Sequence, residues 1–143
     1  MTTKADQKAL AKEYSNFIES VDIEHFYVKS GSFEIRSALR PEAPVEFDLK
    51  DTPELKEQTE SRLTVEHSYR LEVKEKGKKK VMVLVTATYV VVYAIGRQPS
   101  EEILSVFLNR NVRLNTWPFF REHVYSSSAR MYLPPFVLPA FKG

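Results

Sequence analysis

Side chains able to do chemistry are sparse in this chain, and their spacing does not bring them together. The three histidines, His25, His67 and His123, lie far apart, with no pair at the spacing of a metal site. His67 falls on the apolar side of an alternating segment, where a hydrogen-bonded core histidine is expected. His123 follows Glu122 in a helical stretch and suits a solvated or interface position. Ser126-Ser127-Ser128-Ala129 lacks the glycine-flanked elbow that exposes a nucleophilic serine. Four glycines in 143 residues leave neither a phosphate-cradling loop nor a dinucleotide pattern. Zero cysteines remove disulfides, thiolate ligands and thiol nucleophiles together. The lysine-rich run from Lys74 to Lys80 can meet phosphate, but its simplest use is to keep a hairpin tip in water. The expectation is a protein that is not an enzyme, with no catalytic residue, no metal and no cofactor.

Composition narrows the class further. The length fits one domain able to bury a core without staples. A formal net charge of +2 argues against a dedicated nucleic-acid binder. Residues 1–12 are polar and do not read as a signal peptide. The longest apolar run, Val81 to Ile95, is too short for a membrane span and is interrupted by Thr86, Thr88, Tyr89 and Tyr93. A soluble, cytoplasmic protein with no membrane and no nucleic-acid partner is expected.

Hydrophobic periodicity supplies the elements. Leu10, Tyr14, Phe17, Ile18 and Val21 form a helical stripe over residues 4–21. Residues 24–37 read as a strand with a bulge or bend at Ser30-Gly31, followed by a loop from Ala38 to Pro44. Val45 to Leu49 alternates as a second strand, and Asp51 to Ser61 reads as a charged linker. Arg62 to Lys74 alternates strictly, with Leu63, Val65, His67, Tyr69, Leu71 and Val73 on one face, as in an antiparallel sheet with one face in water. A turn around Gly77 leads into Val81 to Ile95, apolar on both faces and therefore central or at an interface. Ser100 caps a short acidic-start helix through Leu108. The sum is α+β, a four-stranded antiparallel sheet with helices at both ends.

The last quarter is the most distinctive. Pro118 suits the first turn of a helix spanning 117–132, with Asn115 or Thr116 as N-cap. Pro134, Pro135 and Pro139 then force an extended exit that carries Leu133, Phe136, Val137, Leu138 and Phe141. On the helix, Phe120, Val124 and Met131 make one apolar row, and Tyr125, Ala129 and Tyr132 make another, with Ser126, Ser127 and Ala129 as a stripe of small side chains. Such a helix needs cover on two sides. Its own sheet supplies one, and an oligomer interface built on Phe120, Val124, Tyr125, Ser128, Ala129 and Tyr132 is expected to supply the other.

Trp117-Pro118-Phe119-Phe120-Arg121-Glu122, Arg130 and Leu133-Pro134-Pro135-Phe136-Val137-Leu138 resemble the C-terminal signature of the SecB family of export chaperones, an aromatic-Pro-x-x-Arg-Glu helix start followed by an aromatic-Pro-x-Leu-x-Leu exit. The order of elements over roughly 24–141 agrees. Departures point to one branch. Met131 stands where export members carry glycine, the chain is not acidic, and the helix at 4–21 is additional. Nothing up to Gly143 reads as the second helix and polar tail that meet the SecA motor, so tight SecA binding is not expected. These features are more similar to the SecB-like chaperones of toxin–antitoxin systems.

The resemblance implies a chain divided into an N-terminal helical extension, 1–23, and a SecB-like domain, 24–143. It implies a homotetramer, a dimer of dimers, that holds unfolded or partly folded polypeptide in apolar grooves without ATP. The client would be the antitoxin of a toxin–antitoxin–chaperone system. General preprotein chaperoning in export, or a non-chaperone adaptor of the same fold, are the alternatives. Candidate groove residues are Phe33, Ile35, Leu39, Pro41, Pro44, Val45 and Phe47 around the crossover, with Leu133, Phe136 and Leu138 in the exit.

Overall fold

The computed structural model describes residues 3–40 and 42–140. Helix α1, Lys4–Glu19, opens on a capping box in which the Thr3 hydroxyl accepts from the Asp6 amide at 3.1 Å and the Asp6 carboxylate accepts from the Thr3 amide at 3.2 Å. Strands β1 (Asp22–Ile35), β2 (Val45–Gln58), β3 (Arg62–Glu75) and β4 (Val83–Ala94) follow, then helix α2 (Glu101–Val106), a π-helical turn (Phe107–Asn111) and helix α3 (Val112–Arg130). The strands form one antiparallel sheet in the order β1-β4-β3-β2. The two strands adjacent in sequence, β1 and β2, are therefore the two edges. The crossover 36–44 that joins them must span the end of the sheet.

Alternation puts Leu63, Val65, His67, Tyr69, Leu71 and Val73 of β3 on the helix side, all buried, as their periodicity predicts. β4 is central, and Leu84 and Val90 on its far face are buried as well. The pairing of β1 is irregular at two places, at Glu24 between the pairs Ile23–Tyr93 and His25–Val92, and at Lys29 between Val28–Tyr89 and Ser30–Thr88, beside the expected Ser30-Gly31. Two clusters make up the core. One joins Tyr69, Tyr89, Trp117, Phe120, Val124, Phe136 and Leu138. The other gathers Phe17 of α1 with Tyr93, Ile103, Phe107 and Val112, the Phe17 and Phe107 rings meeting edge-on at 5.5 Å. α1 thus shares a core with the sheet. At Gly96 a Cβ would lie 2.9 Å from Ser20 Cβ, so glycine lets the turn after β4 close against the end of α1.

Two expectations fail here. The segment Asp51 to Ser61, read as a linker, is mostly strand: β2 continues to Gln58 and pairs with β3 along its whole length. Pro53 and the charges hid it, yet both belong on an edge strand, where one row of backbone groups needs no partner and charge discourages pairing with other chains. The helical layer is also longer than the proline implied. Ser100 caps it as expected, its hydroxyl accepting from the Ile103 amide at 3.3 Å, but the winding then runs through the π turn to Arg130 with Pro118 inside α3. Neither Asn115 nor Thr116 is a cap. Burial of Phe107, Val112 and Trp117 before the proline and of Phe120 and Val124 after it outweighs the lost hydrogen bond, and Pro118 itself is exposed, where water replaces the missing donor.

Candidate peptide-binding groove

After α3 the chain reverses at Tyr132, whose φ of 59° is left-handed, and leaves as an extended segment, 133–140, laid back along the helix. Polar side chains of α3 hold that segment by its backbone. Ser128 Oγ accepts from the Phe136 amide at 3.0 Å and donates to the Tyr125 carbonyl at 2.8 Å. Arg121 Nε donates to the Leu138 carbonyl at 2.9 Å, and Trp117 Nε1 to the Pro139 carbonyl at 2.8 Å. The tryptophan and arginine of the C-terminal signature are thus bolts for the exit. Proline supplies no N–H, so carbonyl acceptors carry most of this attachment.

Between the pinned exit and the crossover lies a groove of about 620 Å3. Leu39, Ala43, Val45 and Phe47 form one wall, Leu133, Pro134, Pro135, Phe136 and Val137 the other, with Arg40 and Tyr132 at its margins. The Phe47 and Phe136 rings meet edge-on at 5.7 Å. Apolar walls with one cation suit an extended chain of alternating large side chains, since apolar contact carries no directional code.

Of the ten groove candidates, Leu39, Val45, Phe47, Leu133 and Phe136 line this groove. Phe33 lies beneath it, stacked on Phe136 at 6.4 Å, and Leu138 is buried in the core at 4% exposure. Ile35 sits exposed on edge strand β1, and Pro44 borders a neighbouring depression with Arg40, Glu42 and Ala43. Pro41 and Phe141 lie outside the described residues. Arg40, Ala43, Pro134, Pro135 and Val137 were missed, although the polyproline exit pointed to the last three.

The interface candidates separate by face. Phe120, Val124 and Ser128 are fully buried within the single chain, Phe120 and Val124 in the core against the sheet and Ser128 against the exit segment. Tyr125 and Ala129 point outward, and Tyr132, 98% exposed, belongs to the groove margin.

His67 and His123 are both held by hydrogen bonds within the fold. His67 is wholly buried, its Nε2 2.7 Å from Asp51 Oδ2 and its Nδ1 2.6 Å from Thr116 Oγ1. Arg113 Nε donates to the same Asp51 oxygen at 2.7 Å, and the Tyr69 hydroxyl meets Thr116 Oγ1 at 2.7 Å. An acid–histidine–hydroxyl chain of this kind could activate a nucleophile, but Thr116 is buried and donates onward to the Val112 carbonyl at 3.1 Å, out of reach of any substrate. Its effect is to tie edge strand β2 to α3. Burial holds His67 below its ordinary pKa, against the pull of Asp51. His123, expected in solvent or at an interface, instead lies half-buried against the sheet, with Nε2 donating to the carbonyls of Ser32 at 3.2 Å and Thr86 at 3.1 Å. Among the described residues no cluster of metal-ligating side chains exists, and no helix is long and apolar enough to cross a membrane.

An antiparallel four-stranded sheet whose edges are joined by a crossover, backed by one long helix that pins an apolar exit, is the SecB-like fold. The chain is similar in structure to the Mycobacterium tuberculosis Rv1957 SecB-like chaperone, solved in complex with a ChAD peptide from the Rv1956 HigA1 antitoxin. The TM-score is 0.78 at 20% identity, over 93% of this chain and 99% of that one. A protein of unknown function from Streptococcus agalactiae superimposes with a TM-score of 0.52 at 12% identity, over 83% of this chain and 96% of that one. No family model and no curated protein matches the sequence. At these identities the likeness is one of fold, and it includes the four-stranded sheet and both terminal helices.

Proposed function

We propose that this protein is a chaperone of the holdase type, a binding protein and not an enzyme, which keeps a segment of an antitoxin from aggregating until its partner takes it. The observation that carries the reading is the groove between crossover and exit, open, apolar and braced by three side chains of α3. The structural relative holds an antitoxin peptide, which supports a client of the same kind. Binding and release would need no nucleotide, because many modest apolar contacts at ~25 cal/mol per Å2 give affinity that only collectively exceeds the cost of ordering the client. The setting is cytoplasmic, in keeping with a cysteine-free chain.

The active assembly in this proposal is a homotetramer, a dimer of dimers. Its support is the apolar surface that α3 leaves uncovered, where Leu114, Phe119 and Tyr125 remain 44%, 51% and 50% exposed in the single chain. Aggregation of an unrelated denatured protein, followed by light scattering, tests the function. Suppression at substoichiometric tetramer, and tighter binding of one antitoxin segment than of that model protein, are expected. Unchanged aggregation, with no binding of any extended apolar peptide, refutes it.

A further inference from the structure

The turn between β3 and β4 holds Lys76, Lys78, Lys79 and Lys80, and solvation alone does not explain where it is placed. The Lys76 amide donates to the Pro44 carbonyl at 2.9 Å, at one end of the crossover that walls the groove. At the other end, the amides of Arg36 and Ser37 donate to the Met82 carbonyl at 2.8 and 3.1 Å. The lysines therefore stand at the foot of the groove wall. A second depression of about 330 Å3, lined by Arg40, Glu75, Lys78, Lys80 and Met82, shares Arg40 with the groove.

The charge there is one-sided. Glu75 is the only carboxylate of the turn, and Arg40 takes it up, with Nη2 at 2.6 Å and Nε at 3.1 Å from the same oxygen. That pairing holds the Glu75 carboxyl below its ordinary range and fixes Arg40 at the junction of the two depressions. Lys74 is neutralised by Asp48 and Glu72. Among the described residues, the four lysines of the tip have no ion-pair partner, whereas charges on the sheet face do, as in Lys29 with Glu66. An unpaired cationic cluster that continues an apolar groove matches an extended chain whose apolar stretch is flanked by carboxylates.

We infer that the lysine turn is an extension of the groove that selects clients carrying acidic residues beside the apolar segment, the carboxylates facing Lys78, Lys80 and Arg40. This rests on the groove being the client site. Two synthetic peptides with the same alternating leucine–phenylalanine core, one flanked by glutamates and one by serines, are titrated by fluorescence anisotropy at low and high salt. The glutamate peptide should bind about tenfold tighter at low salt, and the advantage should vanish when screening shortens to a few ångström. Replacing Lys78, Lys79 and Lys80 together with serine should erase the difference and leave the serine peptide and the melting temperature unchanged. The same charge change on α1, at Lys4, Lys8 and Lys12, should preserve it. Equal binding of the two peptides overturns the inference while the groove stands, and so does loss of the difference in the α1 variant. If neither peptide binds, the groove reading fails and the inference with it. A single-stranded oligonucleotide that outcompetes the glutamate peptide, and loses to the lysine-to-serine variant, assigns the turn to nucleic acid and also overturns it.

Discussion

Tyr132 combines a backbone position that resists a tyrosine with a side chain that nothing in the single chain covers. Its φ of 59° places an L-residue in the left-handed region, at a cost of about 1–2 kcal/mol. Glycine removes that strain and gives up roughly 0.5–1 kcal/mol to the greater entropy of the unfolded chain. Tyr132→Gly should therefore stabilise the fold by about 0.5–1 kcal/mol. At about 2.1 cal/mol/K per residue, the unfolding entropy of 143 residues is about 0.3 kcal/mol/K, so the melting temperature should rise by about 2–3 °C. Client binding should move the other way. Covering about 100 Å2 of the ring at ~25 cal/mol per Å2 gives about 2.5 kcal/mol, and ordering the side chain removes about 1 kcal/mol. The remaining ~1.5 kcal/mol is about a tenfold rise in Kd. Thermal unfolding by circular dichroism and peptide anisotropy are measured on Tyr132→Gly and Tyr132→Ala. Alanine keeps the strain and loses the ring, so it should match glycine in affinity without the gain in stability. A fall in the melting temperature of Tyr132→Gly would show that the ring supports the fold. Unaltered affinity in both variants would remove Tyr132 from client binding.

Phe47→Ser in the groove wall should weaken peptide binding about tenfold with little change in melting temperature, whereas Leu71→Ser, at a wholly buried position, should cost about 3–5 kcal/mol and lower the melting temperature by at least 10 °C; equal losses in the two variants would make Phe47 core. Ser128→Ala leaves the buried Phe136 amide without its acceptor, so about 1–3 kcal/mol of stability and much of the client affinity should go together, and a variant that loosens neither would show that the exit needs no bolt. Because burial lowers the pKa of His67 below the ordinary histidine value of about 6.5, the unfolded chain takes up a proton that the folded chain resists. Stability should thus fall as pH drops through about 6.5 and level off below the folded pKa, and His67→Gln should flatten that slope in urea titrations; parallel slopes would refute the assignment.

Legibility in the sequence followed the range of the forces involved. β3 was readable residue by residue because one buried face and one wet face impose a period of two. The Ser100 cap and the proline-enforced exit are equally local, and both stand where the sequence puts them. β2 was half-legible: Val45 to Leu49 alternates openly, but beyond it an edge position makes proline and charge permissible, and only pairing with β3 reveals the strand. Pro118 misled for the same reason, since its meaning depends on burial to either side of it in space.

The amino-acid order by itself determined the fold class, the alternating strands and an apolar exit after the last helix. Which apolar residues stay at the surface was decided by the tertiary structure alone. Phe120, Val124 and Leu138 are as apolar as Phe47 and Val137, yet the first three are sealed by strands distant in sequence and the last two are left at the surface. Side-chain type sets how strongly a residue avoids water, but only the crossing of remote segments determines what covers it.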